Sequence, residues 1–216
     1  MTVDLNRLLI RYEKRIGPQL AAPLRAIYES NFPPSQREPF EHLAAAVEEG
    51  ALRLLVAWLD DEPVALAITM PLEGTDVVVL SYIAVRSDLQ SRGIGGRLLD
   101  HLIGLLRDEQ HVSGLLFEVE SVNHGPPHES AQRRRRVRFY ERRGASIVAC
   151  APHYRAPDLS GPGVLYYHLM WLPLAEAAVV PVGERLRTLV QALLMQGYGL
   201  PADDPLVQDV LDDLTC

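Results

Sequence analysis

Gly93, Gly95 and Gly96 fall within four positions of the stretch DLQSRGIGGRLLDHL, Asp88 to Leu102, where a loop turns into an apolar-striped helix. Missing side chains there let several main-chain N–H groups turn outward together, and the helix dipole adds partial positive charge at the same end. Such a cradle suits a phosphate or a diphosphate, and Arg92 and Arg97 are placed to reinforce it with charged donors. A P-loop would need Gly-Lys-Ser/Thr at its end, and a dinucleotide fingerprint would need a third glycine or alanine where Leu98 stands; neither is present. Glu118 and Glu120, in the otherwise apolar run LLFEVE, are a second chemical candidate. Two apart on a strand, they project to one face, and partial burial with mutual repulsion would raise at least one pKa, as a general base needs.

The chain that must position these groups has 216 residues, of which 48% are hydrophobic, and a formal net charge of −7. That suffices for one substantial core with additions. No run approaches the roughly 18 apolar residues of a membrane helix, and MTVDLNRLLI lacks the pattern of a signal peptide, so no membrane partner and a cytoplasmic location are expected. Cys150 and Cys216 are expected to be reduced thiols without a chemical role. No metal site is expected either, since the loop residues His124 and His128 lack ligand spacing. From Glu176 onward seven acids face only Arg185 and Arg187, whereas Arg133, Arg134, Arg135, Arg136, Arg138, Arg142 and Arg143 form a basic run. In so acidic a chain nucleic acid is not the expected partner of that run; a phosphorylated ligand or neighbouring acids fit it as well.

A helix is expected from Pro23 to Asn31, ending before Pro33-Pro34, and another from about Pro39 to Glu49. The apolar runs Leu52 to Leu59 and Val64 to Met70 flank Asp60-Asp61-Glu62-Pro63 and read as a β-hairpin. Val77 to Val85 (VVVLSYIAV) reads as a strand buried on both faces. Leu98, Leu99, Leu102, Leu105 and Leu106 put one stripe of the next helix on the sheet, and Leu115 to Glu120 follows as a strand reached by a parallel crossover. Ser130 reads as the cap of a helix reaching Arg143, with strands from Ala145 to Cys150 and from Val164 to Leu172 after it. The order α-α-β-β-β-α-β-α-β-β belongs to an α/β fold with a mixed sheet and helices on its faces. Residues 176–216 add two helical candidates, Gly183 to Gln196 and Pro205 to Leu214, as an acidic extension of a 1–175 domain. The face made by Leu186, Leu189, Val190, Leu193 and Leu194 must be covered by the domain itself or by a second copy, which makes a homodimer one option.

Gln90-x-x-Gly93-x-Gly95, preceded by Tyr82-Ile83-Ala84-Val85 and followed by an amphipathic helix, resembles the coenzyme A loop of the GNAT superfamily of N-acetyltransferases. Phe139-Tyr140-Glu141-Arg142-Arg143-Gly144-Ala145 resembles the second signature of that family, and together the likeness covers about Pro23 to Leu172. The resemblance implies a mostly antiparallel sheet with splayed central strands, and transfer of acetyl from acetyl-CoA to a primary amine by direct attack. It implies that the diphosphate lies over the amides of Ser91, Arg92, Gly93, Ile94, Gly95 and Gly96, after Gln90, with the pantetheine arm beside Ile83, Ala84 and Val85. The Val85 amide would then donate to the thioester carbonyl, and Tyr140 would protonate the leaving thiolate. The stretch FEVESVN resembles the segment that carries base and coenzyme-binding asparagine in some ribosomal-protein acetyltransferases, which maps them to Glu118 and Asn123. Acceptor contacts in the family come from the N-terminal helices and late strands, here including His153-Tyr154 and Tyr166-Tyr167-His168.

One departure stands out. Asn123 lies 17 positions before Tyr140, further than in the family, so His124 to Ser130 reads as an insertion, and either Asn123 keeps the coenzyme contact or Arg133 takes it. A second functional class stays open on the residues alone: a non-catalytic acyl-CoA-binding module that regulates a partner. The acceptor amine is not encoded in these motifs, because the fold serves many acceptors.

Overall fold

The computed structural model describes residues 4–216, which divide into two units. One holds the residues up to Pro71, Leu80–Asp108 and Leu159–Gly161; the other holds Leu72–Val79, Glu109–Asp158 and Pro162–Cys216. The elements are β1 (Leu8–Glu13), α1 (Pro18–Asn31), α2 (Phe40–Glu48), β2 (Arg53–Leu59), β3 (Glu62–Pro71), β4 (Val77–Val85), α3 (Ile94–Asp108), β5 (Gly114–Glu120), α4 (Ser130–Glu141), β6 (Ser146–Ile147), β7 (Arg155–Pro157), β8 (Val164–Pro173), α5 (Gly183–Tyr198) and α6 (Pro205–Asp212). The strands order as β1-β2-β3-β4-β5-β8-β6, with β7 paired to β8, in a mostly antiparallel sheet.

In the first unit, β2 and β3 form the expected hairpin, but its turn is only Asp60-Asp61, both at positive φ (53° and 65°), so pairing resumes at Glu62. Such a turn matches the right-handed twist of the flanking strands. Pro63 was expected in the turn and instead lies in β3, where the register shifts and a missing N–H costs no ladder bond. Leu54, Val56, Leu66, Ile68 and Ala84 bury one sheet face against α1 and α2. The alternate residues Leu55, Ala57, Ala65 and Ala67 are buried too, and α3 packs on β1, β2 and β3. Helix α1 starts five residues earlier than expected, because Pro18 takes the first turn and Pro23 is absorbed inside. Strand β1 went unforeseen: it is an edge strand with no fully buried residue, an exposed Leu9 and Tyr12, and an apolar run of only Leu8 to Ile10.

In the second unit, β5 pairs parallel to the start of β4 at Val77–Val79 and antiparallel to β8 along its whole length. The parallel crossover therefore holds. Gly114 opens β5 because the Trp171 ring occupies the place of a Cβ. Ser130 does not cap α4; a single helical turn over Pro127–Glu129 leads straight in, and Glu129 precedes the helix in helical conformation without a side-chain cap. The strand expected over Ala145 to Cys150 shrinks to Ser146–Ile147, since turns follow Val148, and β7 adds three residues against the start of β8. Helix α5 runs to Tyr198 and ends on Gly199 at φ +67°, a left-handed cap. Its apolar face is buried within this unit, which removes the need for a second copy to cover it.

Cys150 and Cys216 form a disulfide, contrary to the reduced thiols expected. Their Cα atoms lie 5.3 Å apart, and the Thr215 amide donates to the Cys150 carbonyl beside them. No described helix is long and apolar enough to cross a membrane. Closing a loop of 66 residues restricts the unfolded chain. By chain entropy that is worth about 4 kcal/mol. Thermal unfolding should thus shift to lower temperature on adding a thiol reductant or in Cys216→Ser, and equal midpoints would show that the bridge contributes nothing.

Candidate active site

The glycine loop builds as a cradle in the first unit. After a helical turn at Ser87–Leu89 the chain passes Ser91 at φ +59° and Gly93 at φ +89°, and α3 begins at Ile94. Helix α3 makes its first main-chain bond from Arg97 N–H to Gly93 O at 3.0 Å. The amides of Ser91, Gly93, Ile94, Gly95 and Gly96 have no acceptor among the described residues. Five donors at one helix N-terminus suit an anion. Gly93 is favoured there by its left-handed conformation, and at Gly95 a Cβ would sit tightly, 3.3 Å from Val85 Cγ2. Ile94 and Ala84 are buried and anchor the loop to the core, whereas Ile83 and Val85 are only partly covered.

The Gln90 side chain holds this loop in place. Its amide nitrogen donates to Asn31 Oδ1 at 2.9 Å and to the Val85 carbonyl at 3.2 Å. Asn31, at the end of α1, donates to the same carbonyl at 3.2 Å and to Ile27 O at 2.7 Å. Asn31 escaped the sequence reading because 59 residues separate it from Gln90. Arg86 fixes the loop entrance through Glu62 at 2.9 Å and Asp88 at 2.8 Å. Arg92 and Arg97 are exposed.

The acid–base candidates lie in the second unit. Tyr140 on α4 is 6% exposed, with its ring against Phe117 at 4.5 Å and Phe139 at 5.0 Å. Burial pushes its phenol up to about 12, with Arg136 and Arg143 pulling weakly the other way. Among the described residues nothing hydrogen-bonds its hydroxyl. Glu118 accepts from Tyr154 Oη at 2.7 Å on Oε1 and from Tyr198 Oη at 2.6 Å on Oε2. Burial raises its carboxyl above the usual range, and the two hydroxyls partly offset that. Glu120 instead meets Arg136. Repulsion between the two glutamates, expected from their spacing, is not among the causes; burial alone raises Glu118. Phe117 and Glu118 are successive on β5 and so point to opposite faces, and no direct bond joins Tyr140 to Glu118.

In the insertion, the Arg133 side chain is held by the loop itself. That guanidinium is spent on the loop, donating to Ser121 O at 3.3 Å, to His124 O, and to Glu129 at 2.6 Å. Gly125 leaves it room, since a Cβ there would overlap the guanidinium. Asn123 is exposed, its backbone N–H bonded to Ser121 Oγ at 3.2 Å. His124 stacks on Tyr166 at 4.1 Å, and His168 Nε2 accepts from the Val122 amide at 3.1 Å. Burial lowers the His168 pKa. No described group of three His, Cys, Asp or Glu side chains is arranged to hold a metal ion. Arg134, Arg135 and Arg138 on α4 and Arg142 just after it are exposed.

The family model described as the Acetyltransferase (GNAT) family matches residues 21–145. No curated protein matches the sequence. A GNAT-family protein of Bacteroides thetaiotaomicron is 19% identical with a TM-score of 0.70, over 88% of this chain and 99% of that one. The ribosomal-protein-S18-alanine N-acetyltransferase of Escherichia coli is 22% identical at TM-score 0.56, covering 78% and 96%. An aminoglycoside 6'-N-acetyltransferase solved with coenzyme A is 16% identical at 0.58, covering 77% and 97%. If the Asn31 bonds shape the loop, Asn31→Ala should weaken coenzyme A binding by roughly tenfold, the worth of a lost hydrogen bond. Calorimetric titration checks this, and an unchanged affinity would leave Asn31 a bystander. The match spans more than half of the sequence and includes the cradle and the helix bearing Tyr140, so the chain belongs to the GNAT family of acetyltransferases and is an acyl-transfer enzyme.

Proposed function

We propose that the chain moves an acetyl group from acetyl-CoA to a primary amine by direct attack, with no acyl-enzyme stage. The observation that carries this reading is the set of unspent amides at Ser91, Gly93, Ile94, Gly95 and Gly96 beside the close approach of Gly95 to Val85. A diphosphate fits that row in charge and in donor supply, whereas an apolar ligand would leave the donors unmet. Ile83, Ala84 and Val85 would take the pantetheine arm along their main chain, Gln90 would hold the loop, and the exposed Asn123 would reach the coenzyme. When bound, the thioester supplies an acyl carbon that an amine can attack.

Three residues divide the remaining work. Glu118 accepts a proton from the acceptor ammonium, whose ordinary pKa of about 10.4 keeps it charged at neutral pH. A raised carboxyl pKa narrows the gap between base and ammonium. The main-chain N–H of Val85 donates to the acyl oxygen as negative charge gathers there. As the new C–N bond forms and the C–S bond breaks, Tyr140 gives its proton to the departing sulfur. Its high pKa keeps that proton available, and no internal acceptor among the described residues competes for it. Glu120 is paired with Arg136 and serves this reading as a secondary candidate for the base. Residues 176–216 are read as an extension of the 1–175 acetyltransferase domain.

Tyr140→Phe is the direct test. Thiol release measured over a panel of primary amines should fall by about 10²–10⁴-fold in kcat, the usual worth of a positioned acid. Coenzyme A affinity should stay the same. A variant that keeps full turnover would remove Tyr140 from the chemistry.

A further inference from the structure

The C-terminal helix α5 carries a side chain that touches the proposed base, and no sequence motif announced it. Tyr198, in the last turn of α5, donates to Glu118 Oε2 at 2.6 Å across a separation of 80 residues. Tyr154, between β6 and β7 and 2% exposed, donates to Oε1 at 2.7 Å. A carboxylate on a flexible stem turns easily about its last torsion, which has a broad two-fold preference. One donor on each oxygen fixes the plane of the group. Each oxygen still has a lone pair to spare, so the carboxylate can receive a proton while both hydroxyls stay bonded.

We propose that Tyr198 and Tyr154 are positioning residues for Glu118, so that α5 completes the acid–base machinery of the enzyme. The proposal rests on the acyl-transfer reading for its purpose and on the two hydrogen bonds for its substance. Three features of the chain support it. Helix α5 continues two residues past its expected end, and those residues carry Tyr198 to the carboxylate. Gly199 then ends the helix in a left-handed cap, which stops the chain at that point. The segment is held from several sides: Arg185 bonds Asp76 at 3.0 Å and Ser113 at 2.8 Å, Arg187 bonds Leu211 O at 2.8 Å, and the disulfide ties Cys216 to Cys150, four residues before Tyr154.

The groups facing Glu118 are few. They are the two phenols, with Tyr167 of β8 acting on both; Glu120 on the same strand is turned to Arg136, and no cation contributes to Glu118. Burial and the Glu118 charge keep both phenols protonated far above their ordinary range, so they act as donors throughout the working pH. Removing either hydroxyl takes a donor from the charged form of the acid. Its pKa must then rise, because burial already favours the neutral form and less opposes it.

The test is a titration of the Glu118 carboxyl carbon by carbon-13 NMR in the full-length protein, assigned from the signal lost in Glu118→Gln, alongside kcat/KM against pH for a primary amine. Tyr198→Phe and Tyr154→Phe keep the rings and delete only the hydroxyls. Each should move the carboxyl titration and the acid limb of the rate profile to higher pH by about one unit, with coenzyme A affinity unchanged. A titration at the same pH in wild type and both variants overturns the proposal, whatever the rates do. Should the wild type bind coenzyme A yet turn over no amine, the acyl-transfer reading falls, and the NMR titration still decides whether the two phenols govern Glu118. A loss of rate with unmoved pH limbs would also count against it, as the mark of a purely structural role.

Discussion

The register of β5 is the constraint on which the second unit depends. At its first residue the Trp171 ring lies where any side chain larger than hydrogen would project, so Gly114 pairs with Pro173 and Val77 at one offset. Alternation then assigns every later side chain. Phe117 turns to Tyr140, and Glu118 to Tyr154 and Tyr198. A slip of one residue would turn Glu118 to the opposite face, away from both hydroxyls and toward the aromatic ring of Tyr140.

Glu118 and Glu120 show how little spacing alone decides about chemistry. Both stand on β5 and both are only partly accessible, yet one meets a guanidinium and the other two phenols. A cation partner favours ionisation through charge, whereas a hydroxyl does so only through a single hydrogen bond, so burial prevails at Glu118. The choice of partner comes from elements far away in sequence. That is why a phenol-bonded carboxyl and a salt-bridged one can share a strand.

Local signals carried much of the fold into view. Val77 to Val85 is bounded as its apolar run suggests, the helix after the glycines follows its leucine stripe, and the loop before it opens where the glycines cluster. These depend on residues close together, so a sequence displays them. Strand β1 has an apolar run of only three residues, β7 is three residues long with a proline, and both become strands only through a neighbour. Asn31, Tyr198 and the Cys150–Cys216 bridge are likewise pairings across 54 to 80 residues. No periodicity reports such contacts, and thiol count alone could not show that the two sulfurs lie together. Arg133, by contrast, was visible as a residue but not as a strut for its own insertion.

The bridge has a topological corollary. Between β8 and α5 the chain passes through an exposed connector in which Val179 is 75% accessible, the kind of site where proteases nick. A cut there would sever the backbone ahead of α5 and α6 yet release neither, because the sulfur link to Cys150 still holds their far end. The clipped molecule would travel as one species until a thiol separated its halves, and Tyr198 would keep its station throughout.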